Sequence, residues 1–187
     1  MNNLQKHLFE VIKLMVLNKN LNKEILTPSG KIKMINHGSI RYGFLNYVAR
    51  FSLANDEYFI TKEAKRLLDI KKLINDNGLL RSKKSKKNGF TYEHPIPSNV
   101  IGDLLIKNSK SEKDIKEILI NTDKVVVLTN IENERLSFNK LNSSMPEGWQ
   151  YKNALINNSE FFARYKIANI ERPKPSSTIK VYGALAR

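Results

Sequence analysis

The sequence has no cysteine, which excludes disulfide bonds and cysteine-ligated zinc sites. It also has no apolar run near the roughly 20 residues that cross a bilayer. At the N-terminus, Lys6, His7, Glu10 and Lys13 interrupt the apolar positions, so neither a leader nor an anchor is expected there. Together these absences favour a cytoplasmic protein without a membrane partner.

The chain also lacks the short motifs of several common enzyme classes. It contains no Walker loop, no G-x-G-x-x-G, no G-x-S-x-G and no H-E-x-x-H, which disfavours ATP-driven, dinucleotide-dependent and common hydrolase chemistry. Only three histidines are present. The pattern gives His7 a packing or surface role, and His37 precedes a glycine in a predicted turn. His94 differs from both because of its neighbours.

The sequence has few acidic residues compared with its basic residues. There are 18 Asp and Glu against 32 Lys and Arg, for a formal net charge of +14. A polyanion is the natural partner of such a surface, with nucleic acid preferred over a membrane. The alternative is a compositionally biased chain whose positive charge is merely solvated.

The remaining composition is that of a folded protein, with 41% hydrophobic residues in 187. We expect a single domain over residues 1–187, of α/β or α+β class, with a small mixed sheet flanked by amphipathic helices. It would have a helical N-terminal half (1–80), a centre alternating strand and helix (89–141) and a proline-bearing C-terminal extension (171–187). Helical spacing is predicted over 3–18, 39–55, 98–108, 111–122, 130–142 and 159–170, and strands over 31–36, 90–94, 124–129 and within the extension.

The clearest predicted helix is "ITKEAKRLLDIKKLINDNG", with Thr61 as its cap and Gly78 as its end. Its predicted inner face carries Leu67, Leu68, Ile70, Leu73 and Ile74, and its outer face Lys62, Lys65, Arg66, Lys71 and Lys72. This basic face could lie along a phosphate backbone, with "YFITKEAKRLL" as part of a helix-turn-helix. An amphipathic helix also displays a solvated charged face without any such role.

A Glu-His pair in "GFTYEHPIPSNV" follows directly behind the basic run "RSKKSKK". A nuclease must neutralise a phosphorane-like transition state and deprotonate a water near neutral pH, and a histidine can supply the second need. A kink at Pro95 would bring Glu93 and His94 onto one surface. Alternatively, Glu93 pairs with a lysine of the basic run, His94 bonds the turn, and the run is a solvated hairpin tip.

The segment "EHPIPSNVI" resembles the first element of HNH, or ββα-metal, nucleases, and "KVVVLTNIENERL" is similar to their second strand and helix start. The likeness spans about residues 90–140. It implies that Glu93 ligates a divalent metal, with Mg²⁺ the expected ion, and that His94 is the general base. The family's asparagine would be Asn133, or else Asn130. Two predicted helices separate His94 from Asn133, and no histidine follows Asn133.

The sequence therefore predicts a metal-dependent DNA endonuclease of restriction or mobile-element type, with DNA favoured over RNA. A homodimer joined by the N-terminal helix would suit a palindromic site. Two alternatives stay open: a non-catalytic nucleic-acid-binding or inhibitor protein, and a metal-independent, toxin-like ribonuclease. The predicted nucleic-acid contacts are Arg81, Lys83, Lys84, Lys86, Lys87, Lys65, Arg66 and Arg164. Tyr165, Trp149, Arg172 and Lys174 are further candidates for stacking or phosphate contact.

Overall fold

The computed structural model describes residues 1–17, 23–26, 32–35, 38–80 and 85–181, with the backbone alone at 23–26, 32–35, 38–40, 85–86 and 158. Helices and short strands are interspersed along the described residues. In chain order they are α1 (Asn3–Leu17), β1 (Lys23–Leu26), β2 (Ile32–Ile35), α2 (Gly38–Leu53), β3 (Glu57–Ile60), α3 (Lys62–Ile70), α4 (Ser85–Asn88), β4 (Phe90–Glu93), α5 (Ser98–Asn108), α6 (Glu112–Thr122), β5 (Val126–Thr129), α7 (Asn130–Phe138), α8 (Tyr151–Ile156), α9 (Asn158–Phe161), α10 (Ala163–Ile167) and β6 (Thr178–Lys180).

Four strands form a mixed sheet in the order β4-β5-β3-β6. The central strands β3 and β5 are parallel, and each edge strand pairs antiparallel with its neighbour. Strands β1 and β2 form a separate antiparallel pair. The predicted α+β class with a small mixed sheet is confirmed, and so is the edge strand in the C-terminal extension.

Alternation along the strands divides the apolar residues between two faces of the sheet. On the face that we call the α3 face, Tyr58, Ile60 and Val127 pack with Ala64 and Leu68 of α3. On the opposite face, Val126 and Leu128 of β5 pack against helices α1, α2, α5 and α6. Helices therefore cover both faces, and the parity of a strand residue decides which set of helices it meets.

The predicted helix starts agree well with the structure. Ser111 caps α6 and Thr129 caps α7, each in a reciprocal capping box with the acidic residue three positions later. Thr61 caps α3 by accepting a hydrogen bond from the amide of Ala64. Of the two caps predicted for α7, Thr129 and Asn130, the structure selects Thr129.

The predicted end of α3 at Gly78 is wrong, because the helix ends at Ile70. Lys72 adopts a left-handed backbone conformation (φ 51°), and the side chain of Asn75 accepts hydrogen bonds from the amide of Leu79. The chain reverses here, and Ile74 pairs with Leu80. Ile70, predicted on the inner face, is 71% exposed.

Two further expectations are corrected. The helix-turn-helix interpretation of "YFITKEAKRLL" is wrong, since Glu57–Ile60 is the central strand β3 rather than a preceding helix. The predicted helix over 159–170 is divided into α9 and α10 at Phe162. Within the described residues, no helix has both the length and the apolar character needed to cross a bilayer.

Candidate functional site

Strand β4 positions Glu93 at the end of an edge strand, directly opposite Val126 of β5. Phe90 and Tyr92 pack on the α3 face, so Glu93 projects to the opposite face, where helical residues surround it. A carboxylate there loses much of its hydration and needs partners to remain stable. Those partners come from α10, about 70 residues further along the chain.

Arg164 and Tyr165 of α10 bind the two oxygens of Glu93. The Arg164 Nη1 atom lies 2.8 Å from Glu93 Oε1, and the hydroxyl of Tyr165 donates to Glu93 Oε2 at 2.6 Å. The side chain of Arg164 is 1% exposed and that of Glu93 is 11% exposed. Burial raises the pKa of Glu93, while the guanidinium of Arg164 and the hydroxyl of Tyr165 act to lower it.

The same arginine also holds the turn that carries the histidine. Arg164 Nη1 donates to the carbonyl oxygen of His94 at 2.9 Å, and the carbonyl oxygen of Pro95 lies 3.4 Å away. Burial, and secondarily the neighbouring Glu93 carboxylate, raise the pKa of Tyr165, so its hydroxyl stays protonated and remains a donor. The end of β4 and the His94-Pro95 turn are thereby fixed to α10.

His94 is held in one orientation by α2. Its Nε2 lies 3.2 Å from the carbonyl oxygen of Ala49. Because a carbonyl oxygen only accepts hydrogen bonds, Nε2 carries the proton and Nδ1 is left as the acceptor in the neutral ring. Burial lowers the pKa of His94 below its ordinary value, and the charge of Arg164 acts in the same direction, whereas the Ala49 carbonyl opposes them. A neutral ring with an acceptor nitrogen is the form that a general base requires.

Glu93, His94 and Asn133 line one polar cavity of about 440 Å³. Asn133 comes from α7, which starts directly after β5, the neighbour of β4 in the sheet. Asn99, at the start of α5, and Asn142 add further amide groups to the wall. The separation in sequence between His94 and Asn133 is thus closed by the fold. We call this space the polar cavity.

The predicted nucleic-acid contacts are scattered. Lys65, Arg66 and Lys87 are exposed, with Arg66 in an exposed ion pair with Glu63 at 3.3 Å. Helix α3 packs on the face of the sheet opposite Glu93, so Lys65 and Arg66 do not join the polar cavity. Arg81, Lys83 and Lys84 lie outside the described residues, as do the side chain of Lys86 and the whole of His37.

Arg164 is the clear departure from the predicted surface. It was expected to contact nucleic acid from the exterior, but it is fully buried and bound to Glu93. Its Nε atom has no hydrogen-bond partner in the described part of the chain. The expected pairing of Glu93 with a lysine of the basic run is replaced, among the described residues, by this arginine. Nothing in the local sequence of "FFARYKIANI" distinguishes a buried arginine from an exposed one.

A divalent metal does not fit Glu93 in this arrangement. Both carboxylate oxygens are already bound, one of them by a positively charged guanidinium at 2.8 Å. Among the described residues that line the polar cavity, Glu93 is also the single carboxylate, whereas Mg²⁺ prefers several oxygen ligands with carboxylates among them. The predicted metal at Glu93 stays a prediction, and it requires that Arg164 first release the carboxylate.

The chain matches no model of a known protein family, no curated protein and no solved structure.

Proposed function

We propose that the protein acts on nucleic acid as an endonuclease, and that His94 is the general base in the polar cavity. The observation that supports this most is that Glu93 and His94, at the end of β4, line one cavity together with Asn133 of α7. His94 is oriented by Ala49 and has a lowered pKa, so it is ready to accept a proton from water at neutral pH.

The neighbouring residues have distinct roles in this proposal. The amide of Asn133 binds a phosphate oxygen or the attacking water, since it offers both a donor and an acceptor. Glu93 is a positioning residue: it fixes Arg164, and Arg164 holds the carbonyl groups of His94 and Pro95. The net charge of +14 attracts a polyanionic substrate. DNA is favoured over RNA in this proposal because of the resemblance of residues 90–140 to HNH nucleases.

One observation favours a second candidate, a metal-independent ribonuclease. Because both Glu93 oxygens are engaged, none of the described residues that line the cavity offers a free carboxylate to a metal. In RNA cleavage, His94 would instead deprotonate the 2′-hydroxyl, so the nucleophile belongs to the substrate. The non-catalytic alternative predicts salt-sensitive binding without cleavage of either nucleic acid.

A single assay separates the three functions. Purified protein is incubated with plasmid DNA and with a structured RNA, in Mg²⁺, Mn²⁺ or EDTA, at matched ionic strength. DNA cleavage that EDTA abolishes supports the metal-dependent endonuclease, and RNA cleavage that persists in EDTA supports the ribonuclease. If neither substrate is cut under any condition while both bind, the catalytic proposal is refuted.

A further inference from the structure

A second cavity, of about 300 Å³, lies where β3 ends and α3 begins. Its walls carry Lys62 and Lys65 from the first turns of α3 and Arg172 and Lys174 from the segment that leads to β6. None of the described residues lines both this cavity and the polar cavity. We call the second cavity the basic cavity.

Both walls of the basic cavity are tied to the same central strand. The amide of Ile60 donates to the carbonyl oxygen of Ser177 at 3.0 Å, and the amide of Ser177 donates to the carbonyl oxygen of Lys174 at 2.9 Å. Pro173, between Arg172 and Lys174, is buried. The arginine and lysine are therefore presented from an anchored segment, opposite a helix that is itself fixed to the sheet by Ala64 and Leu68.

The four cations are exposed and outnumber the acidic residues described at the cavity. None of them forms an ion pair in the part of the chain that the structure describes. Among the residues described around the cavity, Glu171 is the one that is acidic. Like charges drawn together around one concave space repel one another, and a bound anion relieves that repulsion. Glu63 in the first turn of α3 and the buried carboxylate of Glu132, which accepts a hydrogen bond from Thr61, offset the helix dipole at this end, so the positive potential comes from the basic side chains.

The basic cavity lies at a position in the fold that is typical of ligand-binding sites. Strands β3 and β5 are parallel, and the helix that follows each of them begins at the same edge of the sheet. In open sheets with parallel strands, ligands bind outside the carboxyl ends of those strands. Positive side chains at this edge select for a phosphate group.

We propose that the basic cavity binds a phosphate group, and that it anchors a backbone phosphate of nucleic acid away from the polar cavity. The second half of this statement rests on the proposed function, whereas the first half does not. This proposal gives one shared role, phosphate binding, to four residues that would otherwise be separate solvated charges: Lys62, Lys65, Arg172 and Lys174. A free phosphate or a small phosphate ester would be recognised by the same chemistry.

The test compares two variants that lose the same charge. Lys65→Gln/Lys174→Gln changes the basic cavity, and Lys107→Gln/Lys116→Gln removes two exposed lysines from α5 and α6. Binding of a fluorescein-labelled DNA duplex is measured over a range of salt concentrations. We expect the cavity variant to bind about tenfold or more weakly. Its slope of log affinity against log salt should fall by about 0.9, for the one phosphate contact that is lost. We expect the control variant to stay within about twofold of the unmodified protein.

A second experiment uses inorganic phosphate in the absence of nucleic acid. Titrated at constant ionic strength against chloride, it should shift the amide NMR signals of residues 62–65, Arg172, Lys174, Ser176 and Ser177 in the unmodified protein and not in the cavity variant. If phosphate causes these shifts but the duplex does not bind, the phosphate site stands and the nucleic-acid function fails. If the duplex binds but the two variants weaken it equally and phosphate shifts nothing, the site is refuted and the function survives. Thermal unfolding of both variants confirms that each is folded.

Discussion

The buried pair of Glu93 and Arg164 leads to the sharpest stability prediction. Replacing Arg164 by Met keeps the aliphatic volume but leaves the Glu93 carboxylate, 11% exposed, without its cation at 2.8 Å. It also removes the donor to the carbonyl oxygens of His94 and Pro95. Breaking a buried pair by removing one partner costs about 3–5 kcal/mol of unfolding free energy, because an uncompensated charge is left behind.

This cost is measured by urea unfolding in a double-mutant cycle that comprises Arg164→Met, Glu93→Gln and the double variant. We expect each single variant to lose about 3–5 kcal/mol, and the double variant to lose less than their sum, because no unpaired charge remains. Arg66→Met is the matched control, since its ion pair with Glu63 is 74% and 56% exposed and such pairs contribute about 0–1 kcal/mol. A loss below about 1 kcal/mol for Arg164→Met, or strict additivity in the cycle, would refute the reasoning. If Arg164→Met does not fold, Glu93→Gln alone carries the comparison with Arg66→Met.

Two further predictions concern acidic side chains whose carboxylates accept hydrogen bonds from neutral donors. Burial raises the pKa of Asp123 to about 6, although its carboxylate accepts hydrogen bonds from Gln5 and Asn55. Because the folded-state pKa lies above the unfolded value of about 3.9, protonated Asp123 makes its full contribution to the stability of the fold below pH 4. This contribution is lost as pH rises through about 6. Urea unfolding at several pH values should therefore show Asp123→Asn gaining up to about 3 kcal/mol relative to the unmodified protein between pH 4 and pH 7; a difference independent of pH would contradict it. Glu132 is 4% exposed and accepts hydrogen bonds from the hydroxyl of Thr61 and the amide of Thr129. In the same assay, Glu132→Ala should therefore lose about 1–3 kcal/mol of unfolding free energy. The control Glu134→Ala, at an exposed position of α7, should lose less than about 0.5 kcal/mol. Equal losses at the two positions would show that Glu132 does not link the starts of α3 and α7.

Local patterns predicted the elements around the polar cavity better than they predicted its contacts. The apolar, β-branched run before Thr129 and the acidic residue three positions after it specify a buried strand and a capped helix, and both are present. Strand β3 was not predicted from the sequence. It has only four residues, between helix α2 and the cap Thr61, and this is too short for the period-two pattern of a strand to stand out from the flanking segments. The turn at Asn75 depends on a side-chain hydrogen bond that competes with the helical periodicity of Leu73 and Ile74.

The partners of Glu93 illustrate what a sequence pattern omits. An arginine on a short helix is normally exposed, and its burial here follows from the sheet order, which sets Glu93 on the face that α10 covers. That order depends on long-range pairing of β4 with β5, which periodicity does not encode. The convergence of Lys62 and Lys65 with Arg172 and Lys174 has the same origin, because β6 returns beside β3.

The rate of DNA cleavage by a His94 variant tests the central claim most directly. His94→Gln retains a donor for the Ala49 carbonyl but lacks a base, and His7→Gln makes the same change at an exposed position of α1. Under single-turnover conditions with plasmid DNA, His94→Gln should be about 10²-fold slower or more, and His7→Gln unchanged. The rate of the unmodified protein should decline only below the ordinary histidine pKa of 6.5, because burial lowers the pKa of His94. A His94→Gln variant that cleaves at the unmodified rate would contradict the account.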